Sequence, residues 1–532
     1  MNLPANVLAA ASPAESTAPA AAPAGVKVVE EAAAYATANI ISQVAAIVRG
    51  FVVARVLGPA SFGIWNGLSI FMAYSGYTNL GLFVGMTREY CYFVGKNDRP
   101  KARVVRDTAF TFGTASALLV SLVIVMAAIL VRQRYARPVI VGAMMMATIM
   151  LLDRVFQYHI ALFRVERRIL TLSVATILLA LAFSVGAVAF VFRFGLYAIF
   201  GSFLASYLVG IGYLWWHANE HFRIAFDFSQ LKKLIPIGLP LDVGGAADTL
   251  MNTAGSMVIL LFLSTTELGY YGIGGTFIGL LMQFPSSLAW VLNPRLLERY
   301  GKTEDVRELW NHAVTPTVFV AYLLPILMAE AALAMAMVIR YLLPAYMPGV
   351  PAITILLFGN FFYALVYPTA NLMVALNRQL AATVVRVGSA LLNVAFIYAF
   401  LSIGLRLKGV ALGTSCAYFV LGTTLTVLMM RYYFSSMKAI VRFLAGMYAP
   451  FGYMVALFIA TGYLLPADAT LGATKFVGVI ALRGIVLAAA YAPILLHASR
   501  KPQFAELARQ VAGSKLGSYL SWCSKRPTGS HR

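Results

Sequence analysis

The chain has 532 residues, of which 61% are hydrophobic and 11% charged, with a mean hydropathy of +0.80. A water-soluble domain carries about 45–50% apolar and about 25% charged residues, so this composition excludes a soluble fold and makes the bilayer the natural solvent. A net charge of +21 would suit nucleic acid on a soluble protein, but here it has a topological explanation, given below.

In chain order, residues 1–32 read as a cytoplasmic tail. Its Ala/Pro-rich start lacks the basic opening and apolar run of a signal peptide, and disorder is expected. Apolar stretches of about 20 residues then recur, each the length of one helical crossing. They fall at 33–55, 60–85, 107–131, 138–162, 169–192 and 195–216, which form a first six-helix half (33–216). A polar linker (217–233) leads to spans at 234–263, 267–292, 313–335, 350–376, 384–403 and 409–430, a second half (234–430). Two further spans, 444–465 and 476–498, lie within 444–498, and a basic cytoplasmic tail (499–532) closes the chain. In that tail Phe504, Leu507, Val511 and Trp522 could form an interfacial face, although plain disorder fits equally. Cys91, Cys416 and Cys523 are scattered and make no disulfide or metal pattern.

Loop charge sets the orientation. With the N-terminus inside, 29 of the 41 Lys and Arg fall on the cytoplasmic side, 8 on the other and 4 within spans. This asymmetry places both termini in the cytoplasm and removes the support for nucleic acid as a partner.

The chain also repeats itself. At an offset of 206, Leu57 lies over Leu263, Gly63 over Gly269, Gly95 over Gly301 and Lys96 over Lys302. Six spans separate the copies, so they run in the same direction. The fold expected is all-α and polytopic: two pseudo-symmetric six-helix halves around a central cavity, plus two C-terminal helices.

Charges inside spans mark the candidate site, because a mid-bilayer charge costs at least about 2.5–3.5 kcal/mol unless it meets water or a partner. The first span carries Asn39, Ser42, Gln43, Arg49 and Arg55, with Asn39, Ser42, Ala46 and Arg49 on one face and Gln43 beside it. The seventh carries Asp242, Thr249, Thr253 and Ser256 on one face, with Asp248 and Asn252 on its flank. The offset sets Ser42 over Asp248 and Gln43 over Thr249, so the two stripes are expected to line one central cavity. The fourth span carries Asp153 and Arg154, then Gln157. Adjacent residues point about 100° apart, so Asp153 and Arg154 need not pair. Arg49, Arg55, Asn39, Gln43, Arg154 and Asn252 are the candidates for substrate binding, and Asp248, Asp242 and Asp153 for coupling to H⁺ or Na⁺. Glu330 reads as structural, and Arg483 as a lipid or groove contact outside the bundle core. No Walker-type phosphate loop, metal cluster or soluble catalytic domain is evident, so no resident cofactor and no enzymatic activity are expected.

Ala54-Arg55-Val56-Leu57-Gly58-Pro59-Ala60-Ser61-Phe62-Gly63 resembles the opening hallmark of polysaccharide-biosynthesis flippases, which export lipid-linked O-antigen and related oligosaccharides. These belong to the multidrug/oligosaccharidyl-lipid/polysaccharide exporter superfamily. Asn393, Gly404 and Gly409 to Thr414 resemble a second family patch, Gly195 to Gly201 echoes it in the first half, and Tyr346 to Ala352 fits the family's outer loop. The resemblance spans residues 30 to about 500. It implies two halves in a V that open alternately, and an inner-membrane protein that moves a polyprenyl-diphosphate-linked oligosaccharide. Arg49 and Arg55 match helix-one cavity arginines of related lipid II flippases, whereas the cation those relatives carry in helix eight is missing here. The polysaccharide polymerase and glycosyltransferases would be its functional neighbours, with membrane lipids around it. The alternatives are a multidrug or organic-cation exporter, a lipid II flippase, and a membrane-embedded glycosyltransferase or polymerase.

Overall fold

The computed structural model describes residues 24–218, 224–466 and 472–500, and among these every regular element is helical. The first half comprises α1 (Ala24–Ser75), α2 (Leu82–Gly95), α3 (Arg99–Leu130), α4 (Arg137–Val165), α5 (Ile169–Phe194) and α6 (Leu196–Trp216). The second comprises α7 (Phe228–Phe262), α8 (Thr265–Thr303), α9 (Trp310–Leu342), α10 (Val350–Ala364), α11 (Val366–Ala375), α12 (Gln379–Ser402) and α13 (Arg406–Met430). Then come α14 (Met437–Leu464) and α15 (Ala473–Ser499), both packed on α9.

Twelve of the described stretches are long and apolar enough to cross a membrane. The first, Thr37–Asn79, has 43 residues, about 65 Å of helix, or roughly two bilayer cores. It bends where expected: Gly58 has φ 70° and ψ 172°, a region essentially reserved for glycine, and Pro59 starts the second arm. The 39-residue α8 is outside the twelve because glycine, serine and threonine dilute its apolar content. Counting both arms of α1 and including α8, each of the fourteen predicted spans is helical.

Several boundaries differ from expectation. α1 begins at Ala24, inside the segment read as a tail. The predicted second span breaks at Gly76–Asn79, a 3-10 turn followed by left-handed Leu80 and Gly81 (φ 52° and 77°). α7 starts at Phe228, within the predicted linker, because the Asp227 carboxylate accepts the Ser229 and Gln230 N–H groups at 2.8 and 3.2 Å and caps the helix. The basic tail from 501 onward, including Phe504, Leu507, Val511 and Trp522, lies outside the described residues, as does Cys523.

The internal repeat extends to turn geometry. Left-handed Asn97 and Glu304 end α2 and α8, left-handed Arg167 and Asn377 precede α5 and α12, and positive-φ Gly195 and Gly404 sit between α5 and α6 and between α12 and α13. Helices within each half pack mostly against each other, and the halves meet along α1–α8 and α2–α7. The α1–α8 seam is reciprocal. A Cβ on Gly63 would run into the Thr265 carbonyl, and one on Gly269 into the Pro59 carbonyl. Thr265 is the offset-206 counterpart of Pro59, so the two contacts exchange under the pseudo-two-fold, as in an isologous interface. Tyr346, fully buried, locks this end by donating to the Ala54 carbonyl (2.9 Å) between the rings of Phe62 and Tyr270. At the opposite end Gly81 packs on Gly238, and Gly85 on Leu234.

Candidate substrate-binding cavities

The polar stripes of the first and seventh spans do not line one shared space. They divide among three cavities, and much of the seventh-span stripe serves the seam between halves. Thr249 shares a 2.6 Å hydrogen bond with Tyr77, and Thr253 a 2.9 Å bond with Tyr74. Hydroxyls facing another helix inside a membrane find partners there because hydrocarbon supplies none.

The first cavity, about 240 Å³, lies between α1 and α8 and is lined by Gln43, Arg49, Asn66 and Thr276. Four α8 positions on its wall include Gly272, Gly275 and Gly279, whose missing side chains leave the space. The Arg49 guanidinium lies 3.8 Å over the Phe183 ring and donates to Ser184 Oγ at 3.3 Å. Among the described residues it has no carboxylate partner. The flank residue Gln43 reaches this cavity, whereas Asn39 is exposed and lines none of the three. Arg55 is likewise exposed and lines none.

The second cavity, at about 690 Å³ the largest of the three, opens among α1, α2, α4 and α6, with Asp242 reaching in from α7. Asp153 and Arg154 line it and, where the sequence left their pairing open, pair with each other: Arg154 Nη2 to Asp153 Oδ2 is 2.8 Å. The long arginine stem spans the angle between adjacent positions, and Arg154 also donates to the Gly76 carbonyl at 3.3 Å. Asp153 accepts further from Ser75 (2.8 Å), Tyr207 (3.0 Å) and Gln157 (3.3 Å). With both groups buried, this is an internal ion pair, in which Arg154 Nε stays without a hydrogen-bond partner, more than a free pair of binding groups. Asp242 accepts the Gly81 N–H across the seam between halves, and its Oδ2 has no partner.

The third cavity, about 310 Å³, belongs to the second half and is walled by α7, α8, α10, α11 and α12. Asp248 points here and lies 3.2 Å from Arg386 Nε. Arg386, counted from sequence among loop charges, is in fact inside α12 and supplies the cation that Asp248 requires. Asn252 bridges two tyrosines, donating to Tyr363 (3.1 Å) and accepting from Tyr418 (2.9 Å).

Arg483 departs from its expected place. Arg483 is 8% exposed, donates to the Phe458 carbonyl at 3.4 Å and lies over the Phe458 ring. It therefore joins α15 to α14 and is not open to lipid. Glu330 packs against the α15 backbone at Gly484. Sequence reasoning missed a buried Arg106–Asp107 pair in α3 (2.9 Å). The available signal was an acid beside a base at the entry of an apolar span.

A family model described as "Polysaccharide biosynthesis protein" matches residues 52–351. The chain belongs to that family. Among solved structures, a lipid II flippase, MurJ, in an inward closed conformation aligns with TM-score 0.64 at 13% identity, over 87% of this chain and 98% of that one. An inward-facing multidrug resistance MATE family transporter of the MOP superfamily aligns with TM-score 0.63 at 16% identity, over 75% and 96%. No match was found among curated protein sequences. The chain thus shares the fold of these two proteins and is a multi-pass membrane protein.

Proposed function

We propose that this protein is a flippase that carries a polyprenyl-diphosphate-linked oligosaccharide across the inner membrane for surface polysaccharide synthesis, with both termini in the cytoplasm. The observation that carries the reading is Arg49. A guanidinium within a membrane span, facing a cavity and lacking a carboxylate, is costly unless a ligand supplies the anion, and a diphosphate matches its planar fork. The polyprenyl tail stays in lipid while the headgroup crosses.

Coupling to H⁺ or Na⁺ falls to Asp242. Asp153 is saturated with donors and Asp248 faces the Arg386 guanidinium, whereas Asp242 has no ion-pair partner among the described residues and keeps an unbonded oxygen at the seam between halves. Ion binding there can drive the cycle only by favouring one of the two states. The bare Arg49 cation also argues against organic cations as cargo.

Replacing Arg49 by Ala should abolish surface polysaccharide while membrane abundance stays normal, and Arg49→Lys should restore part of it. Unchanged polysaccharide in the Ala variant would refute the reading. Drug sensitivity on deletion, with intact polysaccharide, would favour a multidrug exporter. Lysis on depletion would favour a lipid II flippase.

A further inference from the structure

The third cavity combines features that neither an ion nor an apolar ligand would use. Among the described residues of its lining, one acid and one base, Asp248 and Arg386, balance. Arg386 therefore disfavours a cation, and Asp248 an anion. Yet Asp248 Oδ1, Arg386 Nε and Asn293 Oδ1 are buried without a hydrogen-bond partner. The Asp248–Arg386 contact is close enough for attraction, but the groups are not aligned for a hydrogen bond. Unsatisfied buried groups of this kind are costly, and an apolar occupant would leave them so. Beside them, Trp290 is 69% exposed, a large aromatic face presented to the space.

A neutral polyhydroxylated ring meets all these conditions. Each hydroxyl both donates and accepts, so adjacent hydroxyls can satisfy a carboxylate, a guanidinium and an amide oxygen together. The C–H face of the ring packs on an aromatic surface. A volume of about 310 Å³ suits a ligand of about two sugar rings.

We infer that the cavity bounded by Asp248, Arg386, Asn293 and Trp290 is a glycan subsite, separate from the Arg49 anion site; the inference rests on the flippase reading above. α8 connects the two. It contributes Gly279 to the Arg49 cavity and Ser286 to the glycan cavity. Seven residues separate these positions, two turns on the same helix face and about 10 Å along the axis. A diphosphate at Arg49 would direct its sugars along α8 toward Trp290. The oligosaccharide would then contribute to recognition in its own right.

The test compares two ligands on purified protein in lipid nanodiscs: sugar-free polyprenyl diphosphate, and the polyprenyl-diphosphate oligosaccharide extracted from the producing cells' membranes. Trp290→Leu and Asn293→Ala should each weaken binding of the oligosaccharide lipid about five- to tenfold and shift the sugar-free lipid less than about twofold. Trp290→Tyr should retain most of the wild-type affinity. Arg49→Ala should weaken both ligands. Binding of the sugar-free lipid also reports that each variant is folded. The glycan subsite is overturned if Trp290→Leu and Asn293→Ala leave the oligosaccharide lipid unaffected, or weaken both ligands equally. If wild-type protein binds neither lipid, the flippase reading itself fails and takes the subsite with it.

Discussion

At the scale of single residues, the organising fact is how each buried charge is met. Asp153 and Arg154 meet each other with four donors around the carboxylate, Asp248 meets Arg386, and Arg49 meets, among the described residues, a ring and a hydroxyl with no carboxylate. The first arrangement predicts a particular mutational pattern. Asp153→Ala strands a buried guanidinium and should cost about 3–5 kcal/mol, read as a lower melting temperature in detergent and reduced membrane abundance. The double variant Asp153→Ala, Arg154→Met removes both charges and should recover most of that loss. If the double variant is no more stable than the single one, the pair is not the reason for the burial. These pairings were only partly legible in the sequence. The cost of charge in hydrocarbon singled out Arg49, Arg154, Asp242 and Asp248, and all four line cavities. The sequence did not reveal the partners. The angle between positions 153 and 154 left open whether an arginine stem reaches its neighbour, and Arg386, two residues into its predicted span, was counted among the cytoplasmic loop charges. Asn39 and Arg55 are exposed and line none of these three cavities.

At the scale of elements, periodicity and length located the helices, and backbone chemistry shaped them. Every predicted span proved helical because about 20 apolar residues with internally satisfied backbone bonds are the stable solution in lipid. The breaks were less visible. Gly58–Pro59 could be read because both residue types disrupt a helix, but the interruption at Gly76–Asn79 contains no proline and follows from packing. The division of α10 from α11 does have a proline behind it: Pro368 lacks the N–H that would bond the Ala364 carbonyl. Gly58 yields a direct prediction. Its φ/ψ pair costs a residue with a Cβ about 1–3 kcal/mol, and nothing lies within 4 Å of the Cβ that alanine would add. Gly58→Ala should therefore destabilise through backbone strain alone, with Gly58→Val adding little. A much larger loss with Val than with Ala would point to steric crowding in its place. At Gly269 the order reverses, since the Pro59 carbonyl occupies the place of a Cβ.

At the scale of the whole molecule, the two halves touch at both ends of the passage: Gly63 with Thr265 and Gly269 with Pro59 at the Gly58 end, Gly81 with Gly238 and Gly85 with Leu234 at the other. Backbone packs directly on backbone at these points, so each seam can open or close with little rearrangement of side chains. Transport by alternating access requires that one seam part while the other holds. A wedge at either seam should bias that choice. Gly269→Leu inserts a side chain where none fits, at a cost of about 1–3 kcal/mol, which is borne only in states with the Gly58-end seam closed. A differential of that size shifts a two-state population by about 5–150-fold. In a background with Cys91, Cys416 and Cys523 replaced by Ser, a cysteine introduced at Asn66, whose amide packs against Gly272 across this seam, should react faster with a membrane-impermeant maleimide from the Gly58 side once Gly269→Leu is added. Gly238→Leu, a wedge at the opposite end, should slow the same reaction, because opening that seam favours closure of this one. If both wedges raised labelling, they would merely loosen the packing. If neither changed it, the reciprocal glycine contacts would be static, and the two halves could not move as rigid bodies about them.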